Sequence, residues 1–160
     1  MEKNFNKILL AILVFSILSI FSAYFIEYVL GHKPCKLCLY QRYPYFVSVF
    51  LILNILVLKK YVKLTLLTLA LVSFFGSAIA FYHFGIEQGF FNEALICEAK
   101  NFDNNLSKEE LLKNLKENTI SCKTVTFRVF GLSLASINTI LSFILFAIFT
   151  KLYTNYERNK

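Results

Sequence analysis

The chain contains no tryptophan, one methionine, two prolines, five glycines and only four cysteines in 160 residues. Four cysteines are too few for a secreted scaffold in which dense cross-links replace a core. There is no Cys-x-x-Cys-His run for haem attachment, and no second Cys-x-x-Cys knuckle to complete a structural zinc site. Zinc is therefore the lesser reading of the cysteines, and no metal ligand is assigned. Internal repeats and low-complexity stretches are missing as well, so one unit covering residues 1–160 is expected. Acidic residues are scarce: ten, against seventeen Lys and Arg, for a net charge of +7. In a soluble chain that excess would suggest nucleic acid. Here the basic residues cluster between long apolar runs, as the positive-inside rule requires, and nucleic acid is set aside.

Apolar sequence is abundant: 57% of residues are hydrophobic. Four runs, at about 8–30, 39–58, 64–84 and 130–150, each reach the roughly 20 residues that a helix needs to cross a bilayer core. The first run is longer than a secretory signal's apolar region, and Phe21-Ser22-Ala23 is a poor cleavage site, so it is expected to be retained as a span. Gly31 to Pro34 form a turn, and Pro44 falls early in the second run, where its missing N–H does least damage. Lys59-Lys60-Tyr61-Val62-Lys63 is a short basic loop. Together with Lys3, Lys7, Lys151, Arg158 and Lys160 it marks the cytoplasmic side, leaving loops at about 31–38 and 85–128 outside. Tyr40, Tyr43, Tyr45, Tyr82 and Phe84 are expected at the outer rim. In the long loop Ser107 and Glu110 form a capping box, with Leu106 and Leu111 as a hydrophobic staple. They predict a short helix whose leucines rest on the membrane or the bundle. The predicted fold is thus an all-α membrane protein, a four-transmembrane-helix bundle with a short interfacial helix in its second outer loop.

All four cysteines fall on the outer side, where disulfides persist. Cys35 and Cys38 are two apart at a predicted helix start, where unpaired backbone N–H groups favour a thiolate. A bridge between such near neighbours constrains little chain and makes more sense as a redox pair than as a staple. Arg42 lies four residues after Cys38 and on the same helical face, which places a fixed cation beside that sulfur. It can lower a thiolate's pKa, receive a negatively charged oxygen of a reduced cofactor, or simply snorkel to the surface. Cys97 and Cys122 form the second pair. Joining them would close a loop of about 26 residues, worth roughly 3.5 kcal/mol as a staple, and a redox role is equally open. His83 is an interface histidine or a proton donor. Glu27 can pair with a nearby lysine or be solvated at the rim, and Ser133, Ser136 and Asn138 read as helix-packing residues.

The run Pro34-Cys35-Lys36-Leu37-Cys38-Leu39-Tyr40-Gln41-Arg42-Tyr43-Pro44, the segment Tyr82-His83-Phe84-Gly85-Ile86-Glu87, the distant Cys97 and Cys122, and Phe130-Gly131-Leu132-Ser133-Leu134-Ala135 together resemble the disulfide bond formation protein B family. The resemblance covers nearly the whole chain. It implies a thiol:quinone oxidoreductase of the bacterial inner membrane that reoxidises a periplasmic thioredoxin-fold dithiol oxidase and passes electrons to ubiquinone or menaquinone. It also implies a relay through catalytic Cys97, Cys122, Cys35 and Cys38, with Arg42 and His83 at the quinone. Two features depart from the common pattern: Phe127 or a neighbour stands where many relatives have a tryptophan, and Phe91 to Ile96 replace a segment that carries Gly-Pro. A four-helix relative of vitamin K epoxide reductase is expected to carry its Cys-x-x-Cys near a later span. A tetraspanin-like organiser would leave Cys35 and Cys38 inert.

Overall fold

The computed structural model describes residues 2–92, 121–123, 127–129 and 131–158. Its elements are α1 (Glu2–Tyr28), α2 (Lys36–Tyr40), α3 (Tyr43–Leu58), α4 (Val62–Glu87), a two-residue hairpin of β1 (Arg128–Val129) and β2 (Leu132–Ser133), and α5 (Leu134–Arg158). Four helical segments, Asn4–Tyr28, Lys36–Leu58, Val62–Glu87 and Leu134–Arg158, are long and apolar enough to cross a membrane. That is the four-helix membrane bundle expected from the sequence. The fourth helix is shifted from the expected 130–150: the hairpin occupies its first residues, so it starts at Leu134, and it continues through polar turns to Arg158. The predicted helix at 107–115 and the position of Cys97 lie outside the described residues.

The helices are apolar nearly all round, as lipid-solvated helices are, and bury selected stripes. Phe21, Phe50, Phe75 and Phe143 point outward while Leu9, Ile52, Leu66, Leu69 and Phe149 are fully buried. With no solvent contrast to drive helices together in lipid, close approach depends on small residues. Ser16, Ser48, Ser73, Ser77 and Ser142 are all buried. Gly76 of α4 faces Pro44 of α3 so closely that an added Cβ would sit 3.1 Å from the proline ring. α4 packs along α5, α1 on α3, and α3 on α4.

Lys59 and Tyr61 both adopt left-handed backbone, which makes the α3–α4 reversal very short. Lys63 bonds Glu157 at 2.5 Å and Phe5 meets Tyr156, so the first helix start, this reversal and the last helix end share one end of the bundle. The residues carrying chemistry gather at the other end. There α2 and α3 are separate pieces, whereas the sequence suggested one continuous span after Cys35. Pro44 has no N–H to offer the carbonyl of Tyr40, and the chain makes a tighter turn through Gln41 and Arg42, with the Arg42 N–H on the Leu39 carbonyl.

Candidate functional site

Pro34 ends the turn after α1 and leaves Cys35 extended as the N-cap of α2, with φ −72° and ψ 168°. In that position its Sγ accepts the Cys38 backbone N–H at 3.3 Å, doing with sulfur what a capping oxygen does elsewhere. The Cys35 and Cys38 sulfurs are 2.8 Å apart and both cysteines are free thiols. Cys35 is held down to about 5 from 9.0, first by the hydrogen bond with the Cys38 side chain and then by His83 and the Cys38 N–H, against burial, which raises it. The helix-start effect expected from the sequence is therefore seated on Cys35.

Behind Cys35 stands α4. His83 Nε2 is 3.5 Å from Cys35 Sγ and 3.7 Å from Glu87 Oε1, and the imidazole is only 2% exposed. Glu87 in turn accepts a hydrogen bond from Ser133 at the end of the hairpin. Cys122 is buried and disulfide-bonded. Its Sγ, Cys35 Sγ and a His83 ring nitrogen all lie within 4.8 Å of one another. A sulfur of an existing disulfide thus sits within reach of a modest movement from a thiol that is ionised at neutral pH, the geometry that disulfide exchange requires.

In front of the pair lies a cavity of about 450 Å³ between α1 and α5, walled by Phe15, Leu18, Ala23, Ile26, Leu134, Ile137 and Leu141. Cys38, Gln41, Arg42, Tyr45 and Asn138 also line it, whereas Cys35 and His83 do not. Cys38 and Arg42 do face the same space, as their four-residue spacing predicts, despite the helix break between them. The guanidinium, however, binds Glu27 of α1 at 2.6 Å and lies 4.8 Å from the centre of the Tyr24 ring. Glu27 is thus the partner of Arg42 and not of a lysine. Tyr45, expected at the rim, is instead 8% exposed and donates to Asn138 Oδ1. Asn138 and Gln41, for which the sequence suggested no role beyond packing, join the same polar wall, with Asn138 Nδ2 on Gln41 Oε1 at 2.8 Å.

Of the residues singled out in the sequence, Cys35, Cys38, Arg42, His83 and Cys122 come together; Cys97 lies outside the described residues. Comparison with known proteins points the same way. The family model for disulfide bond formation protein DsbB matches residues 5–152. The chain is also similar to uncharacterized protein RP370 of Rickettsia prowazekii (strain Madrid E), with 26% identity over 144 residues, covering 88% of this chain and 84% of that one.

Proposed function

Because the chain belongs to the family of disulfide bond formation protein DsbB, multi-pass membrane oxidoreductases that act on disulfides, we propose that it reoxidises a soluble thioredoxin-fold dithiol oxidase and delivers the electrons to a quinone. The observation that carries this reading is the division of labour within one dithiol. Cys35 faces the disulfide-bonded Cys122, and Cys38 faces an apolar cavity.

The exchange balances as follows. A dithiol partner reduces the Cys97/Cys122 disulfide and leaves as its own disulfide; the thiolate of Cys122 then attacks a Cys35–Cys38 bond at Cys35, expelling Cys38. When Cys97 displaces Cys35 from Cys122, the loop disulfide is restored and Cys35/Cys38 is the dithiol. Free thiols at Cys35 and Cys38 beside a bonded Cys122 correspond to this last state. Two electrons and two protons then remain to be removed.

The cavity suits a quinone on three counts. Its volume falls within the range of small-molecule sites, its walls are aliphatic and aromatic, and its few polar groups converge beside Cys38. Arg42, Gln41 and Asn138 would hold the ring's carbonyl oxygens, and a bound quinone would supply the acceptor for the electron pair. Tyr24 and Glu27 fix the guanidinium, while the walls exclude water. The acceptor must lie above glutathione in potential, since a strongly oxidising partner couple cannot be reoxidised by that pool. In this reading the dithiol end of the bundle faces the bacterial periplasm and the lysine-rich end the cytoplasm, in the inner membrane.

The direct test is quinone reduction by purified protein supplied with a reduced thioredoxin-fold donor. Wild type is expected to turn over and Cys38→Ser to be inactive. Equal rates in the two would remove the proposal.

A further inference from the structure

A line of polar groups crosses the bundle along the edge of the cavity, with Ser142, Tyr45, Gln41 and His83 buried and Asn138 half-buried. Ser142 hydrogen-bonds the Tyr45 hydroxyl. Tyr45 donates to Asn138 Oδ1 at 2.6 Å, Asn138 Nδ2 donates to Gln41 Oε1 at 2.8 Å, and Gln41 Nε2 lies 2.9 Å from His83 Nδ1. The groups come from α3, α5, the α2–α3 turn and α4, between residues up to 97 apart in sequence. We propose that Tyr45, Asn138 and Gln41 are positioning residues that hold His83 as its Nε2–H tautomer, aiming that proton at Cys35, a sulfur the cavity itself does not touch. The inference deepens the reading of Cys35 as the exchanging thiol and rests on it.

The polarity of the line follows from its two ends. Each amide has one oxygen that accepts and one nitrogen that donates, so a direction set at one end is transmitted along the whole chain. At the α5 end, Ser142 occupies the Tyr45 oxygen, so the phenolic proton goes to Asn138. The Asn138 amide must then give its N–H to Gln41, and Gln41 must give its own to Nδ1. At the other end, Nε2 faces Cys35 Sγ and the Glu87 carboxylate, both acceptors for an N–H. Both ends therefore demand the same tautomer. Among the described residues, the titratable groups facing the ring are Cys35, the cap of α2, with Cys38 bonded to it, and Glu87 from the ring's own helix. α5 and the hairpin present only neutral Asn138 and Ser133. No buried side-chain nitrogen or oxygen among the described residues lacks a partner. Breaking one link therefore strands its partner, and His83, which the cavity does not touch, is the member with no water to turn to.

The consequence is a coupling that can be read without a quinone or a partner. In purified protein with the Cys122 disulfide intact and Cys35/Cys38 reduced, the pH midpoint of Cys35 alkylation is followed by peptide mass spectrometry. Asn138→Leu and Tyr45→Phe release the ring's orientation and are expected to move the midpoint up, by about one unit for Asn138→Leu. Gln41→Glu offers Nδ1 an acceptor, so the ring can carry a second proton, and the midpoint should fall. The decisive control is the double variant. In a His83→Ala background, Asn138→Leu should leave the midpoint where His83→Ala alone puts it. Should Asn138→Leu not fold, Gln41→Glu and Tyr45→Phe carry the same test. The inference is overturned if Gln41→Glu and Tyr45→Phe shift the midpoint in the same direction, or if Asn138→Leu acts equally with and without His83. Failure of quinone turnover with a normal midpoint series would remove the functional reading and leave this arrangement standing.

Discussion

Arg42 and Glu27 provide the sharpest quantitative test of how the site is held. They join the last turn of α1 to the α2–α3 turn at 2.6 Å, with side chains 13% and 20% exposed. Two unit charges about 4 Å apart attract by about 4 kcal/mol at an effective dielectric of about 20. Desolvation opposes this, and pairs span a range from about 0–1 kcal/mol at the surface to losses of about 3–5 kcal/mol when one member of a buried pair is removed. Exposure between these limits puts the coupling at about 2 kcal/mol. The perturbation is a double-mutant cycle of Glu27→Gln, Arg42→Leu and the two combined, with stability measured by reversible SDS unfolding in mixed micelles followed by helical circular dichroism. Arg42→Leu leaves a carboxylate without its partner at the edge of the apolar cavity, so the double variant should be more stable than Arg42→Leu alone. Tyr24→Leu, which removes only the ring lying 4.8 Å from the guanidinium, should lose about 0.5–1 kcal/mol. A coupling below about 0.5 kcal/mol would show the pair to be an ordinary surface contact, and the claim that Glu27 fixes the guanidinium would fall.

Two further outcomes can be checked on the same material. Cys35 is displaced from 9.0 to about 5, so its alkylation in wild type should titrate near the lower value. The stability contributed by its thiolate is complete above about 9 and is lost as pH falls through about 5. The dithiol form should weaken over that interval while the form with a Cys35–Cys38 bond does not; identical pH profiles for the two would contradict the assignment. Gly76→Leu should destabilise by about 1–3 kcal/mol by overpacking against Pro44, whose ring cannot move independently of its backbone. An unchanged SDS midpoint would mean that α3 and α4 are not closely seated there.

The spans were legible because a bilayer imposes a length and a polarity that a single sequence displays. The Cys35/Cys38 pair was legible because its spacing, the preceding Pro34 and the Arg42 offset are all local. The remainder of the site was not local. Glu27 meets Arg42 only because α1 returns beside the α2–α3 turn, and nothing in the sequence distinguishes that partner from a lysine. Asn138 looked like an interhelical packing group, which it is, but its contact with Gln41 spans 97 positions. Tyr45 carried the signature of an interfacial aromatic. Its hydroxyl instead found partners inside the bundle in half-buried Asn138 and buried Ser142, the other way an aromatic with a polar tip can be satisfied. The seat of the helix-start effect also depended on a detail of one residue. Cys35 is the cap itself, so the amide of Cys38 serves the sulfur of Cys35.

That detail bears on the direction of electron flow. A thiol near 5 makes Cys35 a good leaving group, so acidity alone favours attack on Cys38 and expulsion of Cys35. Geometry favours the opposite, since Cys35 is the sulfur within 4.8 Å of Cys122 and Cys38 is turned toward the cavity. Position has to win for the relay to run inward, and the same closeness lets the Cys35 thiolate attack back on the Cys122 bond. The exchange between the two disulfides is thus reversible, and its balance is set by the difference in potential between the pairs; a Cys35 thiolate stabilises the dithiol and so favours electrons on Cys35 and Cys38. In the proposed relay, continued flow would come from draining electrons at Cys38, the thiol of the pair that lines the cavity between α1 and α5. The acidity of Cys35 biases the exchange, and the cavity's occupant would keep it turning over.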